Sequence, residues 1–309
     1  MDPPRVMTMA PRHRAAATAL PGGSSLEEQP GVRAPSTTIT REYLEEKEAR
    51  TVAARLRRER VGHNAARLLV LVALVGLWHM LAARYDATLL PGPLQTYAGL
   101  VRGWKLIWAA GLDTTTEIAF GCAIGMLAGL VLGSLIGQSK VVQGILHPYL
   151  ILYQAIPKVG LAPMIVLLLG FGILPKLTLA AMTSVFPVLE NTIIGVQRVE
   201  EDSLRLFQTL GASRMQIYFK LRLVSALPYI LRSARAAIVL ATVSVVVAEF
   251  VAGRIGLGAL MMVGYAQLDT PLVFAALAAL TLIALAYYFA VVVVEAVVLR
   301  CFNLSPPAH

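Results

Sequence analysis

At 309 residues, 57% hydrophobic and 15% charged, with a mean hydropathy of +0.69, the chain carries more apolar surface than a soluble domain of this length buries easily. The composition points to an all-α, multi-pass membrane protein. The 27 Lys and Arg against 18 Asp and Glu are the excess that cytoplasmic loops of such proteins carry, so the basic balance does not imply nucleic acid as a partner. Cys122 and Cys301 lie far apart, in or beside apolar segments, with no spacing for a disulfide framework or a metal.

Residues 1–40, with "PGGSS" and "RAPSTT", hold scarcely any bulky apolar side chain and cannot bury enough surface to offset ordering entropy. They read as a disordered tail. No apolar core of signal-peptide length follows the early arginines. In residues 41–67, "REYLEEKEARTVAARLRRER" crowds acidic residues into its first turns and basic ones into its last, as a helix dipole prefers. A charged helix at the cytoplasmic surface is expected there, with Tyr43, Leu44, Val52 and Leu56 as its apolar side.

The first span is expected over residues 68–83. Its uncharged run would rise only ~24 Å, so Arg67 and Arg84 must snorkel at its ends. Six arginines from Arg50 to Arg67 precede it, whereas Arg84, Arg102 and Lys105 follow, which places the N-terminus in the cytoplasm. In a second span, about 114–138, glycine falls at 121, 125, 129, 133 and 137, a stripe suited to backbone-to-backbone approach of a neighbouring helix. Tight packing within one chain is favoured over a dimer seam. A third span, about 142–169, is broken at "AIPKVGLAP" by Pro157 and Pro163, and "GFGILP" turns the chain outside. Further spans follow at about 175–197, 228–251 and 271–297. Six spans return the C-terminal tail, 301–309, to the cytoplasm. They also place the long polar connection 198–227 there, and residues 198–235 hold seven of the 27 basic residues.

Within that connection, Glu200, Glu201 and Asp202 open a short helix with Leu204, Phe207 and Leu210 on one side. Gly211 is placed to end it in a left-handed cap. Ser213, with Gln216 three residues on, then opens a second helix through a capping box, and Ile217, Tyr218, Leu221 and Val224 supply its buried side. Arg214, Lys220 and Arg222 keep this knob out of lipid, which suits docking into a partner's groove.

A glycine, an aliphatic residue ten positions on, a leucine two further and then "LP" before the next span resemble the EAA loop of binding-protein-dependent ABC importer permeases. "PVLENTIIGVQRV", "LGASRMQIY", "ALPYILRSARAAI", "VVAEFVAG", "GLGALM" and "DTPLVFAAL" are similar to the branch serving nitrate, sulfonate, taurine and pyrimidine precursors. The similarity spans about residues 68–300. At the positions that give the loop its name this chain has Arg205, Leu206 and Phe207 instead of Glu-Ala-Ala, and Val224 stands where proline is usual.

The resemblance implies a type I ABC importer permease fold with six transmembrane helices in the inner or plasma membrane. Its partners would be a cytoplasmic ABC ATPase, an extracytoplasmic solute-binding protein and a second permease copy as a homodimer. ATP and Mg would serve the ATPase and no cofactor this chain, which has no G-x-x-x-x-G-K-[ST]. ATPase coupling falls to Leu204, Arg205, Phe207, Leu210, Gly211, Ala212, Ser213, Arg214, Leu221 and Leu223.

Pathway candidates are the ionisable or polar residues within spans. Lys158 is either a pathway cation suited to an anionic solute or a lysine snorkelling at the inner interface. Glu190 and Asn191 are either pathway groups or an interhelical hydrogen-bonded pair. Glu249 reads as a gate or loop contact rather than a proton carrier. His79 and His147 lack convergent Cys, Asp or Glu and read as interfacial rather than metal-bound. A secondary transporter would show inverted repeats with paired broken helices, yet only the third span is clearly broken. An intramembrane hydrolase would need G-x-S-x-G or H-E-x-x-H, and neither motif occurs. A non-transporting membrane scaffold is the remaining alternative.

Overall fold

A computed structural model of the chain describes residues 65–86 and 88–302. The tail 1–40, most of the charged helix expected over 41–67 and most of the C-terminal tail lie outside the described residues. Contacts divide the chain after Leu69.

The described residues are helical and contain no strand. The order is α1 (Ala65–Ala82), α2 (Pro93–Arg102), α3 (Trp104–Gly137), α4 (Lys140–Ala155), a 3₁₀ turn (Lys158–Leu161), α5 (Ala162–Leu169), α6 (Ile173–Gln197) and α7 (Glu201–Thr209). Then come α8 (Arg214–Ala252), α9 (Leu257–Ala266) and α10 (Thr270–Cys301). Helices α1, α3, α6, α8 and α10 are long and apolar enough to cross a membrane. The segments on either side of the Pro157 break meet at 67°; counted as one bent span, they bring the number among the described residues to six.

Helix α3 begins ten residues before the expected start of the second span. Gly103 closes α2 through its N–H to the Gly99 carbonyl, and the chain turns directly into Trp104. A second departure concerns α8. The helix expected to open at Ser213 and the fifth span are one continuous element of 39 residues, with a single π turn at Tyr218–Arg222 absorbing the change of register. Pro228 sits inside α8 without ending it. A third is α9, a short apolar helix in the connection between the spans expected at 228–251 and 271–297, where no helix was expected.

The core is built on α3, α6 and α8. A Cβ on Gly129 would lie 2.5 Å from the Val185 carbonyl oxygen, and one on Gly133 would lie 2.6 Å from that of Leu189. The glycine stripe therefore faces α6 of the same chain, backbone against backbone, as the packing reading expected. The rungs run in parallel register: Gly121 meets Ala180, Gly125 meets Ser184, Gly129 meets Val188, Gly133 meets Thr192 and Gly137 meets Val196. On the other side of α6, Gly195 admits Ala226 of α8 equally closely. Ile118, Cys122, Ala180, Val188, Ala237, Ala241 and Val245 fill the space among the three helices.

At one end of this slab, α2 packs on α10, with Gly99 under the Pro271 carbonyl and Arg102 paired to Asp269 at 2.6 Å. Trp78 of α1 donates its indole N–H to the Pro91 carbonyl at 3.2 Å and stacks near Phe274 of α10.

Replacing Gly129 by leucine must push α3 off α6, a cost of about 1–3 kcal/mol or more. A lowered midpoint of thermal unfolding in detergent is expected. Gly144→Ala, at a position with open space around it, is expected to leave the midpoint unchanged or slightly raised.

Candidate functional site

The polar connection folds as an elbow. Helix α7 carries Glu201 and Asp202 in its first turn, where they complement the helix dipole. Its end is a Schellman cap: Gly211 has φ +72°, its N–H donates to the Gln208 carbonyl at 3.0 Å, and the Ala212 N–H donates to the Phe207 carbonyl at 3.0 Å. Two residues later Ser213 caps α8. Its hydroxyl accepts from the Gln216 N–H at 3.3 Å, while the Gln216 side-chain oxygen accepts from the Ser213 N–H at 2.8 Å. Both local signals that the sequence carried are therefore present in the geometry.

The elbow has an anchored root and a bare tip. Tyr218 and Leu223 pack against Val196, Ala226 and Ile230, which ties the start of α8 to α6. Leu204, Phe207 and Leu221 are half-buried, and Leu204 and Arg214 border a cavity of about 360 Å³ behind the turn. Leu210 and Met215 at the tip are 74% and 67% exposed. Arg205 is exposed and meets Glu201 one turn earlier at 3.4 Å, an ion pair that contributes little at a wet surface.

The broken span shapes two adjoining cavities against α6. One, of about 310 Å³, is lined by Gln154, Pro157, Lys158, Thr183 and Pro187; the other, of about 240 Å³, by Gln143, His147, Gln154 and Glu190. Lys158 lies over the Tyr153 ring at 4.5 Å and donates to the Gln154 carbonyl at 3.4 Å. Glu190 and Asn191 do not form the interhelical pair that was one of their two expected readings. Successive helical residues point about 100° apart, and Asn191 donates to the Pro187 carbonyl of its own helix at 2.8 Å while Glu190 lines the cavity. His147, expected at an interface, lines the same cavity.

Residues 125–300 match the family described as "Binding-protein-dependent transport system inner membrane component". The chain belongs to this family. It is 32% identical over 226 residues to a probable ABC transporter permease protein of Haemophilus influenzae, covering 72% of this chain and 92% of the relative. It is 34% identical over 221 residues to the riboflavin transport system permease protein RibX of Chloroflexus aurantiacus, covering 70% and 81%. Over 212 residues it is 30% identical to the formylaminopyrimidine transport permease protein ThiX of Halalkalibacterium halodurans, covering 68% and 85%.

At the end remote from Gly211, this permease encloses a charge cluster that sequence reading missed apart from Glu249. Lys176 of α6 donates to Glu117 of α3 at 2.6 Å and to the Ile255 carbonyl at 2.9 Å, with both side chains at most 3% exposed. Glu249 of α8, 1% exposed, is bonded to the Thr114 hydroxyl at 2.7 Å and accepts from the Gly258 N–H at 2.6 Å; Thr114 in turn accepts from the Leu257 N–H at 2.8 Å. Glu249 thus holds the start of α9 against α3. A cavity of about 620 Å³ opens beside the cluster, with Asp113 and Arg254 on its wall. A second intramembrane pair joins Arg235 of α8 to Glu295 of α10 at 2.6 Å. The usable signal in the sequence was a lysine and a glutamate set just inside the ends of two spans, which reads as span flanks until the helices are paired.

Lys176→Met removes the cation paired to the buried Glu117 carboxylate, and stability should fall by about 3–5 kcal/mol. Combining it with Glu117→Leu takes away the carboxylate it orphans and should recover part of the loss. Thermal unfolding of the purified protein distinguishes the two variants.

Proposed function

We propose that this permease is the membrane pathway of an ABC importer with a type I fold, and that its elbow at Gly211 is the surface on which a cytoplasmic ATPase acts. The observation that carries the reading is the bare apolar tip. Leu206, Leu210, Met215 and Phe219 are all more than half exposed on a segment that also bears Arg205, Arg214, Lys220 and Arg222. Such a patch is too apolar for water and too charged for lipid, so a protein groove is its natural cover. The rigid caps on either side of Gly211 suit a part that transmits force.

The remaining assignments follow from this one. The basic residues of the elbow support a cytoplasmic position for residues 198–227 and, with six spans, for both termini. ATP and Mg belong to the ATPase, and a solute-binding protein delivers cargo at the opposite face, beside the Lys176 cluster. Nucleotide and loaded binding protein then bias the same inward-to-outward equilibrium from two sides. The two cavities that hold Lys158 and Glu190 open at the edge of the slab. Ionisable groups there cannot face lipid, so a second copy of the chain supplies the other wall as a homodimer. The cargo class is that of the branch: a nitrate-, sulfonate- or taurine-like anion, or a heterocycle such as a thiamine precursor.

The decisive experiment reconstitutes the permease in proteoliposomes with its partner ATPase and binding protein. Substrate-loaded binding protein should stimulate ATP hydrolysis. Gly211→Val forces a β-branched residue into the left-handed region at a cost of about 1–2 kcal/mol. It should return hydrolysis to its basal rate while membrane insertion is unchanged, and wild-type stimulation in this variant would remove the assigned role of the elbow.

Arg205→Glu tests the docking charge separately. Thermal stability should change by less than about 0.5 kcal/mol, because the Glu201 contact is exposed. Binding of the ATPase should weaken, because the groove that receives this elbow is matched to a cation. Unchanged affinity by titration would show that residue 205 lies off the interface.

A further inference from the structure

Within the membrane, a carboxylate is affordable only when it is paired, bonded or wetted. Glu117 has Lys176, Glu295 has Arg235, and Glu249 has Thr114 and the Gly258 N–H. Glu190 is different. It lies in the second half of α6, is exposed, and has no hydrogen bond or ion pair among the described residues. It faces the cavity of about 240 Å³ shared with His147 and Gln154.

The lysine of the broken span, Lys158, borders the next cavity. Part of its charge is already taken up by the Tyr153 ring face and the Gln154 carbonyl. Among the other polar groups on the Glu190 cavity, Gln143 has its side-chain oxygen engaged by Gln197 at 2.7 Å. The unsatisfied charge that a passing solute meets here is therefore negative.

We propose that the cavity between α4 and α6 is a charge filter, with Glu190 as its specificity-determining residue. It favours solutes that present an ammonium group or N–H donors and disfavours oxyanions that present neither, such as nitrate or a simple alkylsulfonate. This rests on the pathway assignment above and narrows its cargo. An amine-bearing sulfonate or an aminopyrimidine meets the requirement, because its N–H groups satisfy the Glu190 oxygens in a low-dielectric site where that contact is strong. An oxyanion in the same place would add a like charge with no donor between them. Lys158 then serves the far end of a solute whose donor end rests on Glu190.

The test uses the complete transporter and two small probes in place of cargo. Cys301 is exposed and Cys122 is buried, so a Cys301→Ser background leaves no accessible thiol among the described residues. Ile194 is one helical turn from Glu190 on the same cavity and is 41% exposed. The thiol introduced by Ile194→Cys is modified with a cationic trimethylammonium-ethyl methanethiosulfonate and with the anionic sulfonatoethyl reagent. Each rate is divided by that of a free thiol in solution. The cationic reagent should react at least about tenfold faster on this scale. Adding Glu190→Gln should bring the ratio close to one.

Equal normalised rates, or a preference that survives Glu190→Gln, overturn the filter while leaving the pathway intact. A thiol that neither aqueous reagent reaches overturns the pathway assignment and the filter together.

Discussion

The close approach of α3 and α6 is the constraint on which the rest of the structure depends. Two long apolar helices in lipid gain nothing from the hydrophobic effect when they meet, so they associate through packing at short range, which needs small residues along one full face. Glycine at every fourth position of α3 supplies that face, and the register it imposes is constant along both helices. The ion pair belongs to the same ladder: Glu117 and Lys176 are separated by 59 residues, as are the members of each glycine rung below them. The glycine stripe therefore carries the carboxylate of Glu117 to the depth of the Lys176 amine. A slip by one residue would leave both charges buried and unpaired, which gives the slab one strongly preferred register.

That register has consequences at both ends. At the end near Gly211 it brings Val196 and Gly195 to the level where α8 begins, so the elbow is rooted in the slab through Ala226, Ile230 and Leu223 while its tip stands free. At the opposite end it brings Thr114 of α3 to Glu249 of α8 and to the first N–H groups of α9. A single helix, Arg214–Ala252, carries part of the exposed elbow at one end and the Glu249 clasp at the other, over ~58 Å if straight. Tilting it at the elbow must disturb the clasp or shear α8 against α6. The π turn at Tyr218–Arg222 is where a bend would concentrate, since it already departs from the regular hydrogen-bond ladder.

Much of this was legible in the chain. The spans were, because an uncharged apolar run of membrane length would be insoluble as an exposed helix and is too long for most buried ones. So was the elbow, because Gly211 and the Ser213–Gln216 box are signals read within a few residues. What was not legible depends on pairing at long range. Nothing local marks Glu117 and Lys176 as partners, and each alone resembles a residue at the margin of a span. The adjacency of Glu190 and Asn191 suggested a shared role, yet helical geometry turns them apart and only Glu190 reaches the cavity. The continuity of α8 was hidden by Pro228, which in a soluble sequence argues for a helix start. Here the proline follows the π turn, and the helix continues past the missing N–H, with neighbouring helices packed around it.

The broken span completes the picture by contrast. Helix α4 has no buried residue, whereas α3, α6 and α8 each bury a dozen or more. A helix this bare inside a membrane is either a lipid-facing strut or one wall of something that needs a second wall. Its composition decides between them: Gln143, His147 and Gln154 share a side with Glu190 across the gap, while Ile145, Tyr149 and Leu152 are exposed elsewhere on the helix. Pro157 then frees backbone groups at mid-span that lipid cannot satisfy. Water or protein must lie against that face. A rigid three-helix slab with a loosely held, polar-lined, broken helix at its edge is the arrangement a gated pathway needs, because the part that opens can move without unmaking the register that holds the charges in place.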